Sequence, residues 1–177
     1  MNIKRTLYLI ARWFYQWIRP RPLYYKKVKS IGVEISDATP NIIVSLTSFP
    51  LRIKAVSYTI ESILSQTKKP NKVVLWLAEE QFPQKEKDLP KRLLKLKKYG
   101  LIIEWCEDIR SYKKLIPSLE KYPNDIIVTT DDDVYYPPTW LERLYNSYLE
   151  DPSCIHFNRG HEITFSSNGK LNKYEEW

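Results

Sequence analysis

Apolar runs and amphipathic helical patterns alternate along most of the chain. Short runs of the kind that forms buried strands occupy residues 42–46, 72–77, 101–105, 126–130 and 155–157. Between them, apolar residues recur at helical spacing in stretches that begin near Val56, Pro90, Ser111 and Pro137. Strands that alternate with helices predict an α/β fold, with a mostly parallel sheet and helices on both of its faces.

Proline, glycine and serine mark the expected helix ends. Pro90 favours the start of one helix and Gly100 favours its end. Ser111 is predicted to cap the next helix, which Pro117 bends or shortens. A hairpin is predicted near the end of the chain, with residues 163–165 and 171–174 on either side of a turn at 166–169.

Basic residues concentrate at the N-terminus. Residues 1–30 contain eight Lys and Arg and no Asp or Glu, whereas the rest of the chain holds 20 basic and 21 acidic residues. This division predicts a basic arm with its connector, residues 1–30, and one domain, residues 41–177. The domain has almost no net charge and no basic, aromatic patch, which disfavours a nucleic-acid ligand.

The basic arm has the pattern of an amphipathic helix. Apolar residues recur at helical spacing at Leu7, Ile10, Phe14, Trp17 and Ile18. Arg12 interrupts the apolar stretch, which is also shorter than the ~20 residues that span a bilayer. We expect the helix to lie on an anionic membrane surface, as in a peripheral protein of the inner membrane face. Packing of the helix on the domain or on a partner protein is the alternative.

Composition indicates a globular protein of a reducing compartment. Apolar residues make up 43% of the chain, which is sufficient for one buried core. Cys106 and Cys154 are too few and too far apart to form a disulfide scaffold. Both lie in apolar runs, so we expect buried free thiols and a cytoplasmic location.

Three consecutive carboxylates, Asp131, Asp132 and Asp133, follow the fourth predicted strand. Carboxylates at this spacing repel one another and are stabilised by a cation. The chain has four glycines and no glycine-rich phosphate loop, so a diphosphate has to be held in another way. Mn²⁺ or Mg²⁺ on Asp131 and Asp133 would bridge to it, because these ions prefer oxygen ligands. A solvated acidic loop, or an Asp that caps the following helix, is the alternative.

Other polar residues are expected near the same edge, because parallel sheets bind ligands at the carboxyl ends of their strands. Beside Asp131 and Asp132, the candidates for nucleotide-sugar binding are Thr47, Ser48, Arg52, Glu79, Lys113 and Lys114. Helix capping by the hydroxyl groups and ordinary surface charge for the others are the alternatives. Past the fifth predicted strand, His161 and Glu162 are candidates for acceptor contact or for a general base.

Four segments carry a likeness to a known family: residues 42–50, 62–66 and 73–77, and the strand that ends in the Asp triplet. In this order they resemble bacterial glycosyltransferases of the GT-A fold, closest to family-2-like enzymes of surface-polysaccharide synthesis. The resemblance covers roughly residues 41–163. It implies a nucleoside-diphosphate sugar donor, with a UDP type favoured, and Mn²⁺ or Mg²⁺. Asp133 would match the metal ligand, and Asp131 and Asp132 would match residues that touch ribose or metal.

The resemblance also implies transfer of the sugar to a polysaccharide or a lipid-linked acceptor. An inverting member needs a carboxylate base, for which Glu162, Glu175 and Glu176 are candidates. The acceptor-binding half of the family lies beyond the metal motif, whereas this sequence ends at Trp177. We therefore expect a Rossmann-like donor-binding half with a truncated C-terminus. A non-catalytic, membrane-associated binding protein that retains this fold is the alternative function.

Overall fold

The computed structural model describes residues 28–36, 39–158 and 160–174. One sheet contains four parallel strands, β1 (Ile42–Thr47), β2 (Lys72–Ala78), β3 (Leu101–Cys106) and β4 (Ile126–Thr129). The α-helices are α1 (Val56–Ile63), α2 (Lys91–Lys95), α3 (Ile116–Lys121) and α4 (Trp140–Glu150). Short 3-10 helices span Glu79–Gln81, Lys85–Asp88, Leu96–Tyr99 and Arg110–Lys114. The predicted α/β class with a parallel sheet is confirmed, while the predicted N-terminal helix lies outside the described residues.

The order of the strands in the sheet is β3-β2-β1-β4. In the middle of the sheet, Val44 of β1 lies opposite Val73 on one side and Val128 on the other. The chain adds β2 and β3 on one side of β1 and then returns to add β4 on its other side. The carboxyl ends of β1 and β4 therefore form a topological switch point, which is where open parallel sheets bind ligands.

One face of the sheet carries the larger apolar core. Side chains alternate between the faces along each strand, so Val44 and Leu75 point to this side. They pack with Ile60 of α1, Leu93 of α2 and Leu141 of α4, and all five side chains are fully buried. Burial of an aliphatic side chain contributes ~1.5–3 kcal/mol to folding. This layer fixes the strands whose ends carry the candidate site.

The opposite face of the sheet packs against α3. Trp76 of β2 is buried there in a smaller cluster. Its Nε1 donates a hydrogen bond to Ser118 Oγ at 2.8 Å, and the Ser118 hydroxyl donates to Ser45 Oγ at 2.8 Å. Helices therefore lie on both faces of the sheet, as predicted.

Gly100 ends the helical segment that begins with α2, as predicted. Its φ of 114° lies in the left-handed region that favours glycine, and its N–H donates to the Lys97 carbonyl at 3.1 Å. A Cβ at this position would come within 2.6 Å of the Val33 side chain. The turn and the close approach of Val33 both require glycine here.

The prediction of a fifth strand at residues 155–157 is wrong. The two apolar side chains of the run are at least 70% exposed. Between them, the ring nitrogens of His156 contact Ser147 Oγ at 3.2 Å and the Asp151 carbonyl at 2.7 Å. These contacts hold the segment against the end of α4, so it does not reach the edge of the sheet.

The predicted C-terminal hairpin is present, with backbone hydrogen bonds across it from the Ser166 N–H to the Lys170 carbonyl at 2.9 Å and from the Asn172 N–H to the Thr164 carbonyl at 3.0 Å. The Gly169 N–H donates to the Ser166 carbonyl at 2.9 Å, and one antiparallel bridge joins Phe165 to Leu171.

The predicted burial of Cys154 is contradicted. Cys154 is exposed in the turn after α4, with its thiol hydrogen-bonded to an Asp151 carboxylate oxygen at 3.1 Å, while Cys106 is half-buried. Both thiols are free, as predicted.

We expect Ser118→Ala to lower the free energy of unfolding by ~1–3 kcal/mol, because the buried Trp76 N–H loses its acceptor. Urea unfolding followed by tryptophan fluorescence measures the change. Glu120→Ala, at an exposed position of the same helix, is the matched control and should change the value by less than about 0.5 kcal/mol. Equal stability of Ser118→Ala and the wild-type protein would show that this hydrogen bond does not anchor α3.

Candidate functional site

A pocket of about 460 Å³ opens at the carboxyl end of the sheet, at the switch point between β1 and β4. The loops that follow all four strands contribute to it. Four basic and three acidic side chains lie in its wall, together with hydroxyl and amide groups. The lining residues are Thr47, Ser48, Phe49, Arg52, Gln81, Asp108, Arg110, Ser111, Lys113, Lys114, Thr130, Asp131 and Asp132.

Asp132 is the most constrained member of the Asp triplet. It is 7% exposed, and its two carboxylate oxygens accept hydrogen bonds from Ser48 Oγ at 2.7 Å and from Arg52 Nη1 at 2.8 Å. Its carbonyl accepts a third bond from the Thr59 hydroxyl of α1 at 3.0 Å. Since both carboxylate oxygens are engaged, Asp132 acts as an anchor between the loops after β1 and β4.

The other two carboxylates are more exposed and are each paired with a basic side chain. Arg52 Nη1, which binds Asp132, also lies 3.0 Å from Asp133 Oδ2. Asp131 Oδ1 lies 2.7 Å from Lys114 Nζ. The hydrogen bond to Asp132 raises the pKa of Arg52 above its ordinary value. In the described part of the chain, the negative charge of the triplet is therefore opposed by two fixed cations.

Tyr136 contacts the backbone of the triplet. Its hydroxyl accepts a hydrogen bond from the Asp131 N–H at 3.0 Å, and its own N–H donates to Ser62 Oγ of α1 at 3.1 Å. The ring packs on Trp140, with 4.3 Å between the ring centroids. Burial raises the pKa of Tyr136 to about 12, so the phenol stays neutral beside the acids at physiological pH.

A second charged group in the pocket wall joins the loops after β2 and β3. Lys113 is 3% exposed and forms an ion pair with Asp108, which also accepts a hydrogen bond from Gln81 Nε2 at 2.5 Å. The hydrogen bond from Lys113 holds the pKa of Asp108 below its ordinary value. A buried ammonium group needs such a partner, because an uncompensated charge in this position is costly.

The backbone at Arg110 adopts an unusual conformation. Its φ of 56° lies in the left-handed region, which side chains other than glycine rarely adopt. The Arg110 N–H donates to Asp108 Oδ1 at 3.0 Å, which stabilises the turn and starts the 3-10 helix that follows. The prediction that Ser111 caps a helix is wrong, because Ser111 lies inside this 3-10 helix, which follows Ile109 and has no side-chain cap. The strained turn brings Arg110 into the pocket lining.

Two buried polar atoms in the pocket wall have no hydrogen-bond partner among the described residues. They are Gln81 Oε1 and Thr130 Oγ1, and Thr130 is 2% exposed. A buried polar group without a partner costs ~1–3 kcal/mol. Both side chains line the pocket, and a turn of either one would offer its oxygen atom to a polar ligand.

Most of the predicted site residues meet in this pocket. Its lining includes Thr47, Ser48, Arg52, Lys113, Lys114, Asp131 and Asp132, and Asp133 is joined to them through Arg52. Besides Asp133, three candidates lie outside the lining. Glu79 forms an ion pair with Lys85 at 3.0 Å, and His161 and Glu162 are exposed in the segment after α4.

Six lining residues were not among the predicted site residues: Phe49, Gln81, Asp108, Arg110, Ser111 and Thr130. Asp108 carried a usable signal, because it is an acid directly after the third predicted strand and precedes the paired lysines. No periodicity or motif distinguishes Gln81, which takes its place only because the chain turns into a short 3-10 helix after β2.

The capping alternatives for the hydroxyl and acidic residues are wrong. The Thr47 hydroxyl donates to the Trp76 carbonyl at 2.8 Å, and the Ser48 hydroxyl binds the triplet. The residue before α1 is Ala55 and the residue before α4 is Thr139, and neither helix has a side-chain cap. These polar groups are therefore used within the site or the sheet rather than at helix ends.

Asp131 and Asp133 fit a divalent metal that arrives together with a ligand. Their side chains are 65% and 45% exposed and offer the carboxylate oxygens that Mg²⁺ and Mn²⁺ prefer. Among the described residues, no group of three metal-binding side chains exists. Mg²⁺ commonly uses one or two carboxylates and completes its shell with water and substrate phosphates. The donor set suits that mode and not a metal held by the protein alone.

Comparison with known proteins gave no match, either to a protein-family model or to a curated protein. The likeness to glycosyltransferases therefore stays an interpretation of sequence segments.

We expect Asp108→Asn to destabilise the protein by about 2 kcal/mol at pH 7, because the buried Lys113 loses its counter-charge. The pKa of Asp108 is depressed by folding, so its contribution is present above the unfolded pKa of ~3.9 and is lost as the pH falls through the lower folded value. The stability difference between wild type and variant should narrow below about pH 4.

Urea unfolding at a series of pH values from 7 to about 3 measures this difference. Glu107→Gln, an exposed acid next to Asp108, is the control and should follow the wild-type curve. A difference that stays constant over the whole series would contradict a role for the ionised Asp108 carboxylate.

Proposed function

We propose that this protein is a metal-dependent glycosyltransferase that moves a sugar from a nucleoside-diphosphate sugar to a polysaccharide or lipid-linked acceptor. One observation carries the proposal: acids and bases from the loops after β1, β3 and β4, with Gln81 from the loop after β2, converge on one pocket at the switch point of a parallel sheet. A diphosphate with a divalent cation matches this mixture of charges. The resemblance of the four sequence segments adds a second, independent line of support.

The basic side chains suit the diphosphate of the donor. Arg52, Arg110 and Lys114 reach the lining from loops after β1 and β3, and charge-assisted hydrogen bonds to phosphate are strong. The volume of about 460 Å³ lies within the ~300–1,000 Å³ typical of small-molecule sites. Gln81 Oε1 and the Thr130 hydroxyl offer further hydrogen bonds to a sugar or a base.

Asp131 and Asp133 are the residues proposed to hold Mn²⁺ or Mg²⁺. When bound, such an ion acts as a Lewis acid that neutralises the charge developing on a leaving diphosphate. Asp132 does not bind the ion in this proposal. Its hydrogen bonds with Ser48 and Arg52 hold the loop that carries Asp131 and Asp133.

Transfer requires an acceptor hydroxyl that attacks the anomeric carbon. In an inverting reaction a base takes the proton of that hydroxyl. For this role we propose Glu162, with His161 beside it, in the exposed segment after α4. Both residues lie outside the donor pocket, which is consistent with a role on the acceptor side.

The proposed location is the cytoplasmic face of the membrane. Residues 1–30, with eight basic residues and no acids, would bind anionic lipid. Among the described helices, none combines the length and the apolar character needed to cross a bilayer.

A non-catalytic, membrane-associated binding protein is the second candidate. It is favoured by the pairing of the triplet with Arg52 and Lys114, which neutralises the acids without a metal. Incubation with UDP-sugars, Mn²⁺ and lipid-linked acceptors separates the two functions. Nucleotide binding without release of UDP from any donor would support the binding protein.

We expect UDP to bind in the presence of Mn²⁺ and to bind at least about tenfold more weakly after Asp133→Ala. Isothermal titration calorimetry with Mn²⁺ or with a chelator measures both effects. Glu150→Ala, which removes an exposed acid at the end of α4, is the matched control. If neither Mn²⁺ nor Mg²⁺ gives measurable nucleotide binding, the transferase proposal fails.

Deletion of residues 1–27 should abolish co-sedimentation with vesicles that contain phosphatidylserine, because it removes seven of the eight basic residues of the arm. Vesicles of phosphatidylcholine alone are the control and should bind neither protein. Wild-type binding should also weaken as salt is raised. Unchanged sedimentation of the shortened protein would contradict the membrane role of the arm.

A further inference from the structure

Arg52 pairs with Asp133, one of the two carboxylates proposed to hold a divalent cation. One guanidinium nitrogen, Nη1, bridges Asp132 Oδ1 at 2.8 Å and Asp133 Oδ2 at 3.0 Å. A positive charge shared between two adjacent carboxylates performs the electrostatic task of a bound metal ion. The bridge therefore competes directly with a metal for Asp133.

The two contacts of Arg52 differ in how firmly they are built. Asp132 is buried and keeps a second hydrogen bond from Ser48 at 2.7 Å. Asp133 is 45% exposed, and the ion pair that the structure shows for it is the one to Arg52. An exposed ion pair contributes only ~0–1 kcal/mol, so the contact to Asp133 is the one that breaks at low cost.

The Arg52 guanidinium is able to contact a ligand in the pocket without movement of the backbone of its loop. It is 45% exposed, it lies in the pocket lining, and its guanidinium carbon is 5.5 Å from the centre of the Phe49 ring. Its backbone is fixed, because its N–H donates to the Phe49 carbonyl at 2.9 Å and its carbonyl accepts from the Val56 N–H at 3.1 Å. Only the side chain has to turn for the guanidinium to face a phosphate.

We infer that Arg52 is a positioning residue that makes metal binding depend on the nucleotide. Without a nucleotide, Arg52 holds Asp133 and weakens the binding of a divalent cation. When a diphosphate enters, the guanidinium keeps its hydrogen bond to Asp132 and exchanges its contact with Asp133 for the phosphate oxygens, and the cation binds to Asp133 and the phosphate together. This inference rests on the proposed function, and it adds a mutual dependence of the two ligands, which has to be reciprocal.

The test is a comparison of Mn²⁺ binding to wild type and Arg52→Gln, with and without UDP, followed by the electron paramagnetic resonance signal of free Mn²⁺. Without UDP, we expect Arg52→Gln to bind Mn²⁺ up to about fivefold more tightly, because the competing charge is gone. UDP should strengthen Mn²⁺ binding to the wild type much more than to the variant. Substitution of a residue with a purely structural role would not change the ratio between the Mn²⁺ affinities with and without UDP.

Two further variants control for charge and for folding. Lys54→Gln removes one exposed positive charge two residues away in the same loop, and it should leave both Mn²⁺ affinities near the wild-type values. Arg52→Lys keeps a charge for the buried Asp132, but its side chain is one atom shorter, so we expect its ammonium group to hold Asp132 without reaching Asp133 as well. If Arg52→Gln does not fold, Arg52→Lys should still bind Mn²⁺ alone more tightly than the wild type.

Equal or weaker Mn²⁺ binding by the folded Arg52 variants would overturn the inference. So would the absence of Mn²⁺ binding to the wild type and the variants alike. If UDP binds and needs Mn²⁺ but the ratio is unchanged in the variants, the inference fails and the proposed function stands. If UDP does not bind, the proposed function fails, and the Mn²⁺ titrations alone decide whether Arg52 competes for Asp133.

Discussion

The buried carboxylate of Asp132 is the interaction on which the candidate site depends. It joins the loop after β4 to Ser48 and Arg52 in the loop after β1, and its carbonyl binds Thr59 of α1. Removal of either side of such a buried charged contact leaves an unsatisfied group, which costs more than the contact contributes. The position of Asp132 therefore fixes where its neighbours Asp131 and Asp133 meet the pocket.

This contact is possible because β1 and β4 are adjacent although they are far apart in sequence. The ladder between them continues one residue past the strand, where the Thr130 N–H donates to the Ser45 carbonyl at 2.9 Å. The triplet begins at the next residue, so the last hydrogen bond of the ladder fixes how far the triplet lies beyond the end of the strand. Backbone hydrogen bonds thus place the triplet at the end of the sheet, and the Asp132 carboxylate then joins it to the loop after β1.

The four strands and the convergence of their loops could be predicted from sequence, because buried strands are continuous apolar runs and parallel strands present their carboxyl ends together. The pairing of charges could not, because it depends on side-chain reach: Arg52 crosses to the triplet, whereas Glu79 turns to Lys85. The false strand at residues 155–157 has the same origin. The apolar run is visible in the sequence, but the position of the segment depends on the contacts of His156 with the end of α4, which are not.

The balance of charge in the pocket explains why a metal and a diphosphate suit it better together than singly. Within the described residues, the site sets Arg52, Arg110, Lys113 and Lys114 against Asp108 and the three acids of the triplet. A divalent cation alone would compete with these basic groups for the carboxylates, and a diphosphate alone would compete with the carboxylates for the basic groups. Bound together, the two ligands nearly cancel each other's charge. The cation then binds the carboxylates, and the diphosphate binds the basic groups that had been paired with them. A site that is already neutral therefore favours a neutral pair of ligands over either ion, which a purely acidic or a purely basic pocket would not do.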